Sequence, residues 1–121
     1  MSILFTPKKL GDVVIKNRFI HSACEDNMAT ENGQITHEIL NKLRKLSQGE
    51  VGLIIWSHLA VHPSGRTKKY QAGIYDNNMI DGLSRAVRVV HNEGGKIALA
   101  ALPNDFPVHC YYGGFPQQMP I

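Results

Sequence analysis

The sequence predicts an α/β fold built on a parallel sheet, and three observations carry that expectation. Val51-Gly-Leu-Ile-Ile-Trp56 is a continuous apolar, β-branched run, too short for a helix, as a strand buried on both faces should be. Two stretches with apolar residues at helical spacing lie on either side of it. Each helix with its loops is long enough to bring the chain back parallel to the strand before it, so the order reads β-α-β-α-β with right-handed crossovers.

From Ile3 to Ile15 the chain reads as two short extended pieces around Pro7 and Gly11-Asp12, an N-terminal hairpin whose turn uses Gly for positive φ and Asp for a local hydrogen bond. Arg18 to Ala23 is the next strand, with Phe19 and Ile20 as its apolar part, and it runs into a polar loop turned by Asn32-Gly33. Thr36 is a good helix N-cap and Glu38 suits the first turn. Ile39, Leu40, Leu43 and Leu46 then repeat at helical spacing, and Gly49 suits the left-handed position past the end. After the apolar strand, a long loop with Pro63-Ser-Gly-Arg66 leads to Asp76, the cap of a second helix. Ile80, Leu83, Val87 and Val90 form its inward stripe, and Gly94-Gly95 stops it. Lys96 to Leu102 is the last strand. Beyond it Pro103, Pro107, Pro116 and Pro120, with Tyr111-Tyr112 and Gly113-Gly114 between them, show neither period, and no element is assigned there.

At 121 residues and 43% hydrophobic content the chain has material for one core and one domain. The net charge of +3 is spread over Lys8-Lys9, Lys42 to Lys45 and Lys68-Lys69, with no aromatic residues between them to stack bases, which argues against nucleic acid as a partner. The longest apolar runs are too short to cross a bilayer, and Met1-Ser-Ile-Leu-Phe5 lacks the layout of a signal peptide. A soluble, cytoplasmic protein with Cys24 and Cys110 as free thiols is expected.

In parallel α/β folds ligands bind beyond the C-terminal strand ends. Three stretches qualify: Ser22 to Asp26, Ser57 to His62 and Ala100 to Asn104. There is no G-x-G-x-x-G after the first parallel strand and no P-loop, which disfavours those nucleotide sites. His58 and His62, or His21 and Cys24, have metal-like spacing, but on strand ends and loops that spacing does not put two ligands on one face, so no metal is expected. Adjacent strand ends can bring Cys24 and His58 together as nucleophile and base; the simpler reading of Cys24 is a small buried packing residue. His21 reads as a packed or surface side chain, His91 as solvated and Trp56 as core. Glu25 and Asp26 point apart on extended chain, which favours a loop or cap role over a working carboxylate pair.

Several stretches together resemble the old yellow enzyme family. They are Leu4-Phe-Thr-Pro7, Ile15-Lys-Asn-Arg18 with Phe19-Ile20 and Ser22-Ala23, Gly33-x-x-Thr36, Val51-Gly-Leu-Ile-Ile55, Pro63-Ser-Gly-Arg66, Gly73-Ile-Tyr-Asp76 and Gly94-Gly-Lys-Ile97. More narrowly the chain is similar to the NADH:flavin oxidoreductase branch, whose first strand ends in a Ser-Ala-Thr type sequence where this chain has Ser22-Ala23-Cys24. The resemblance covers Leu4 to Leu99. It implies the first units of a TIM (β/α)8 barrel, truncated before closure, in residues 1–102, with a divergent tail over 103–121. It further implies FMN held at the strand ends, NADH or NADPH as reductant, and a small-molecule substrate such as an activated alkene. Ser22, Ala23, Cys24 and Glu25 would line the flavin, with His58 at the end of the second strand. On the third strand the family carries a Gln that bonds the flavin's polar edge, where this chain has Ala100, and a methyl group cannot make that bond. No residue matches the family's catalytic residues, which lie on later strands. The alternative expectation is a non-catalytic remnant that folds by self-association through its open sheet edges, or with a partner.

Overall fold

A computed structural model describes residues 2–102; the tail over 103–121, with Cys110 and the Pro103-Asn104 end of the third candidate stretch, lies outside the described residues. The N-terminal hairpin is present as β1 (Lys8–Leu10) and β2 (Val13–Ile15), antiparallel, with Gly11-Asp12 at the turn. The piece before it is a 3-10 turn over Ile3–Phe5 and not extended chain, because local bonds close it: the Ser2 hydroxyl accepts from the Leu4 amide and the Thr6 amide donates to the Ile3 carbonyl.

Three parallel strands follow in the order β3 (Ile20–His21), β4 (Leu53–Ala60), β5 (Ile97–Leu102). β3 is shorter than the predicted Arg18 to Ala23. Upstream of it the chain is held by Asn17, 8% exposed, which accepts from the Phe19 amide at 3.1 Å and donates to the Glu50 carbonyl at 2.6 Å. That clamp needs a glycine opposite: a Cβ at Gly52 would sit 2.6 Å from the Asn17 carbonyl oxygen. Downstream, residues 72–74 take the place that β3 leaves beside the end of β4. Ala60 N–H donates to Ala72 at 3.0 Å, and Ile74 N–H donates to Ala60 at 2.8 Å.

β4 begins later and ends later than the predicted Val51 to Trp56, and it is not buried on both faces. Ile54, Trp56 and Leu59, each 2% exposed or less, meet the helices. Leu53 and Ile55 are half-buried on the opposite face, level with Ile20 and Ala98 across the register. Among the described residues the helices lie on one side of the sheet only, and that accounts for the difference.

α1 (His37–Gln48) starts where expected. The Thr36 hydroxyl accepts from the Ile39 amide and donates to the Met28 carbonyl at 2.6 Å, so it caps the helix and ties the preceding loop to it. Ile39, Leu40 and Leu43 enter the core. The exit differs from expectation: Gly49, at φ −72°, still donates to Lys45, and the left-handed position falls on Glu50 at φ +65°. Glu50→Gly should therefore stabilise the fold by roughly 0.5–1 kcal/mol, since a Cβ is disfavoured there and the carbonyl that Asn17 uses is kept. A rise in urea midpoint at unchanged slope is the check.

Asp76 does cap, but the turn it opens is the 3-10 segment Asn77–Met79, and α2 (Ile80–Asn92) follows from it. The inward face of α2 matches the predicted stripe only in part, at Val90, which is buried, and at Leu83, which packs against the core. Gly82, Ala86 and Val90 are buried, Ile80 is 56% exposed, and Leu83 and Val87 line an open groove of about 580 Å³ with Ile74 and Arg88. Small residues decide the rotation: a Cβ at Gly82 would lie 2.9 Å from the Ile35 side chain, so the helix turns its least bulky face to the body.

Candidate functional site

The C-terminal ends of the strands are shaped by a β-bulge. Trp56 pairs with Leu99 and Leu59 with Ala101, so Ser57 and His58 together stand opposite the single residue Ala100. Ser57 absorbs the extra length with φ +58° and is 3% exposed. The bulge keeps Trp56 and Leu59 both on the helix side although two residues separate them, and it sets His58 across from Ala100. Two of the expected site residues are thereby brought together on neighbouring strands.

The others lie on the chain that leaves β3. Ser22 and Cys24 are exposed, while Ala23, Glu25, His58 and Ala100 are half-buried. Cys24 is thus not the packed residue expected; the strand ends at His21, and beyond it the thiol faces out as a free cysteine. Glu25 and Asp26 do diverge. Glu25 reaches the Thr67 hydroxyl at 3.4 Å. The Asp26 carboxylate, 4% exposed, accepts from Trp56 Nε1 at 2.6 Å and pairs with the Lys42 ammonium. A charged group inside the fold is tolerable here because both a cation and an N–H meet it.

Gln71, 1% exposed, was not legible as a site residue. Its Nε2 donates to the His58 carbonyl at 2.7 Å and its Oε1 accepts from the Thr67 amide at 2.7 Å. No sequence signal marks it, because a buried glutamine is indistinguishable from a loop glutamine until its partners are known. The bulge did leave a trace: the polar pair Ser57-His58 interrupts an apolar run that resumes at Leu59.

Of the remaining candidates, His62 and Arg66 have structural employment. The His62 ring accepts from the Ser64 amide at 3.2 Å and caps the turn Pro63–Gly65. His21 is half-buried, with Nδ1 buried and lacking a hydrogen-bond partner. His91 is exposed. The Arg66 guanidinium donates to the Glu31 and Lys69 carbonyls and joins the two loops. Among the described residues no three His, Cys, Asp or Glu side chains converge as metal ligands, and no helix is long and apolar enough to cross a membrane.

A parallel sheet with helices on one side and polar loops gathered at its C-terminal strand ends is the framework of α/β enzymes that bind their ligand there. The chain belongs to the NADH:flavin oxidoreductase / NADH oxidase family, whose sequence profile matches residues 3–110. Among solved structures it is similar to the old yellow enzyme from Trypanosoma cruzi, at 29% identity and TM-score 0.73, over 84% of this chain and 27% of that one. It is similar to morphinone reductase, solved in complex with tetrahydroNAD, at 28% identity and TM-score 0.71 over 84% and 27% of the two chains. The old yellow enzyme homologue from Zymomonas mobilis matches at 25% identity and TM-score 0.74, over 83% and 28%. The chain therefore spans less than a third of the length of each of these proteins.

Proposed function

We propose that the chain forms the flavin-ring wall of an FMN-dependent NAD(P)H oxidoreductase of the ene-reductase kind, built on the opening units of a (β/α)8 barrel. The observation that carries this reading is the bulge that sets His58 opposite Ala100, at the same strand ends as the Ser22 to Glu25 segment, in a chain of this family. The residue types suit a flat ring system: Ala23 and Ala100 leave room for a ring, and Ser22, Cys24 and His58 bring polar atoms to its edge. Arg66 is not assigned to the phosphate, because its guanidinium is committed to backbone carbonyls. When bound, FMN supplies the hydride transfer, from NADH or NADPH to a small-molecule acceptor such as an activated alkene. The part assigned to this chain is to hold and orient the ring, and no described residue is assigned as catalytic. Residence in the cytoplasm belongs to the same proposal, and the exposed thiol of Cys24 suits a reducing compartment.

Titration of FMN with the purified chain, followed by quenching of flavin fluorescence, tests the reading. Saturation near one equivalent supports it, and absence of uptake overturns it. Ala100→Gln restores an amide at the place where the family carries one. It should tighten FMN binding about tenfold, the worth of one additional neutral hydrogen bond.

A second reading, a non-catalytic remnant that self-associates or docks on a partner, is favoured by a different observation. Ile3 and Phe5 are at least 60% exposed, and Val13, Val14 and Ile20 about half exposed, more apolar surface than an isolated small domain usually leaves in contact with water. Sedimentation of the FMN-free chain as a compact monomer across a concentration series would count against it.

A further inference from the structure

We infer that Gln71 is a positioning residue for the cofactor edge of the site, acting through the bulge; the inference rests on the FMN reading above. Its amide is buried and its orientation is fixed by its neighbours. Reversing it would set Oε1 against the His58 carbonyl and the NH2 group against the Thr67 amide N–H. Gln71 thus grips the bulge at the one carbonyl that lies beyond the strained Ser57, whose φ of +58° is costly for a side-chain-bearing residue. The grip extends further. The Thr67 hydroxyl lies 3.3 Å from Gln71 Oε1 and 3.4 Å from Glu25 Oε1 and has one proton to share between these two acceptors, so Thr67, whose amide is held by Gln71, relays the grip from the end of β4 to the segment leaving β3. Gln71 thus holds one wall assigned to the flavin ring directly and the other through Thr67, while its own 1% exposure leaves it no contact with the ring itself.

The hypothesis separates Gln71 from an ordinary core residue by chemistry. Gln71→Glu keeps size and the acceptor toward Thr67 but turns a second acceptor on the His58 carbonyl. Gln71→Met keeps size and loses both bonds. The experiment measures three quantities on the full chain and both variants: FMN affinity by fluorescence quenching, the position of the flavin's visible absorption band, and hydrogen exchange of amides 57–60. Expected are FMN binding at least tenfold weaker, a displaced band, and exchange at least tenfold faster at 57–60, with the amides of α1 unchanged. Should the Glu variant fail to fold, the Met variant carries the same comparison. Unchanged affinity and band overturn the inference even if exchange accelerates, since Gln71 then serves the fold alone. If the unaltered chain takes up no FMN, the functional reading falls, and exchange alone decides: acceleration confined to 57–60 upholds the grip on the bulge, and uniform or absent acceleration overturns it.

Discussion

Asp26→Ala is expected to destabilise the fold by roughly 3 kcal/mol, because it leaves the Trp56 indole N–H buried without an acceptor and releases Lys42 from its pair. Trp56 is 2% exposed and has no route to water for its N–H. Asp26→Asn should cost less than half as much, since the amide oxygen still receives the indole and only the charge pairing is lost. The sole tryptophan makes the test direct: urea unfolding followed by its fluorescence reports on the group that loses its partner. Equal losses in the two variants would show that the charge, and not the indole bond, dominates. The effect reaches the candidate site, because Asp26 fastens the end of the segment that begins at Ser22.

Leu59→Ala should cost about 3–5 kcal/mol, the range for removing a large aliphatic side chain from a site that cannot collapse. Leu59 is 0% exposed and is the first residue to resume the helix-facing register after the bulge. With it shortened, the advantage of the bulged register over a regular one falls, because the burial of Leu59 is what the extra residue achieves. The loss is read from the denaturant midpoint. FMN affinity should fall beyond what the unfolded fraction accounts for, and a loss confined to stability would show that the bulge survives without its hydrophobic anchor.

Much of the fold was legible because local chemistry and tertiary demand agree. Thr36 both favours a helix start and has the Ile39 amide to receive, and the Gly11-Asp12 turn joins two strands that are adjacent in sequence. Where packing overrides apolar content, sequence reading fails. The α2 stripe drawn through Ile80 and Val87 assumes that the largest side chains turn inward, whereas the close approach of Ile35 requires Gly82 there, and Ala86 is buried one turn further on. The apolar run ends at Trp56 and so bounds the strand there in the sequence, and only the pairing of Leu59 with Ala101 shows that the strand continues. Strand-end position marks the stretches that hold His58 and Ala100 as candidates, and the resemblance singles out these two residues within them. Neither marks Gln71, because its importance lies in two backbone partners that its spacing does not indicate.

The return of the chain to Ala60 has a consequence for diversification. The hydrogen bonds of Ala60 with Ala72 and Ile74 pin both ends of the intervening segment to one residue, so residues 61–71 form a cassette that leaves and re-enters the fold at nearly the same point. Lengthening such a loop is thermodynamically mild, about 0.6 kcal/mol for each doubling. Insertions at the exposed Pro63-Ser64 turn would enlarge the rim while leaving the register of β4 intact. Length can thus vary at this turn while Arg66, Thr67 and Gln71, which hold the loop to its neighbours and to β4, stay in place.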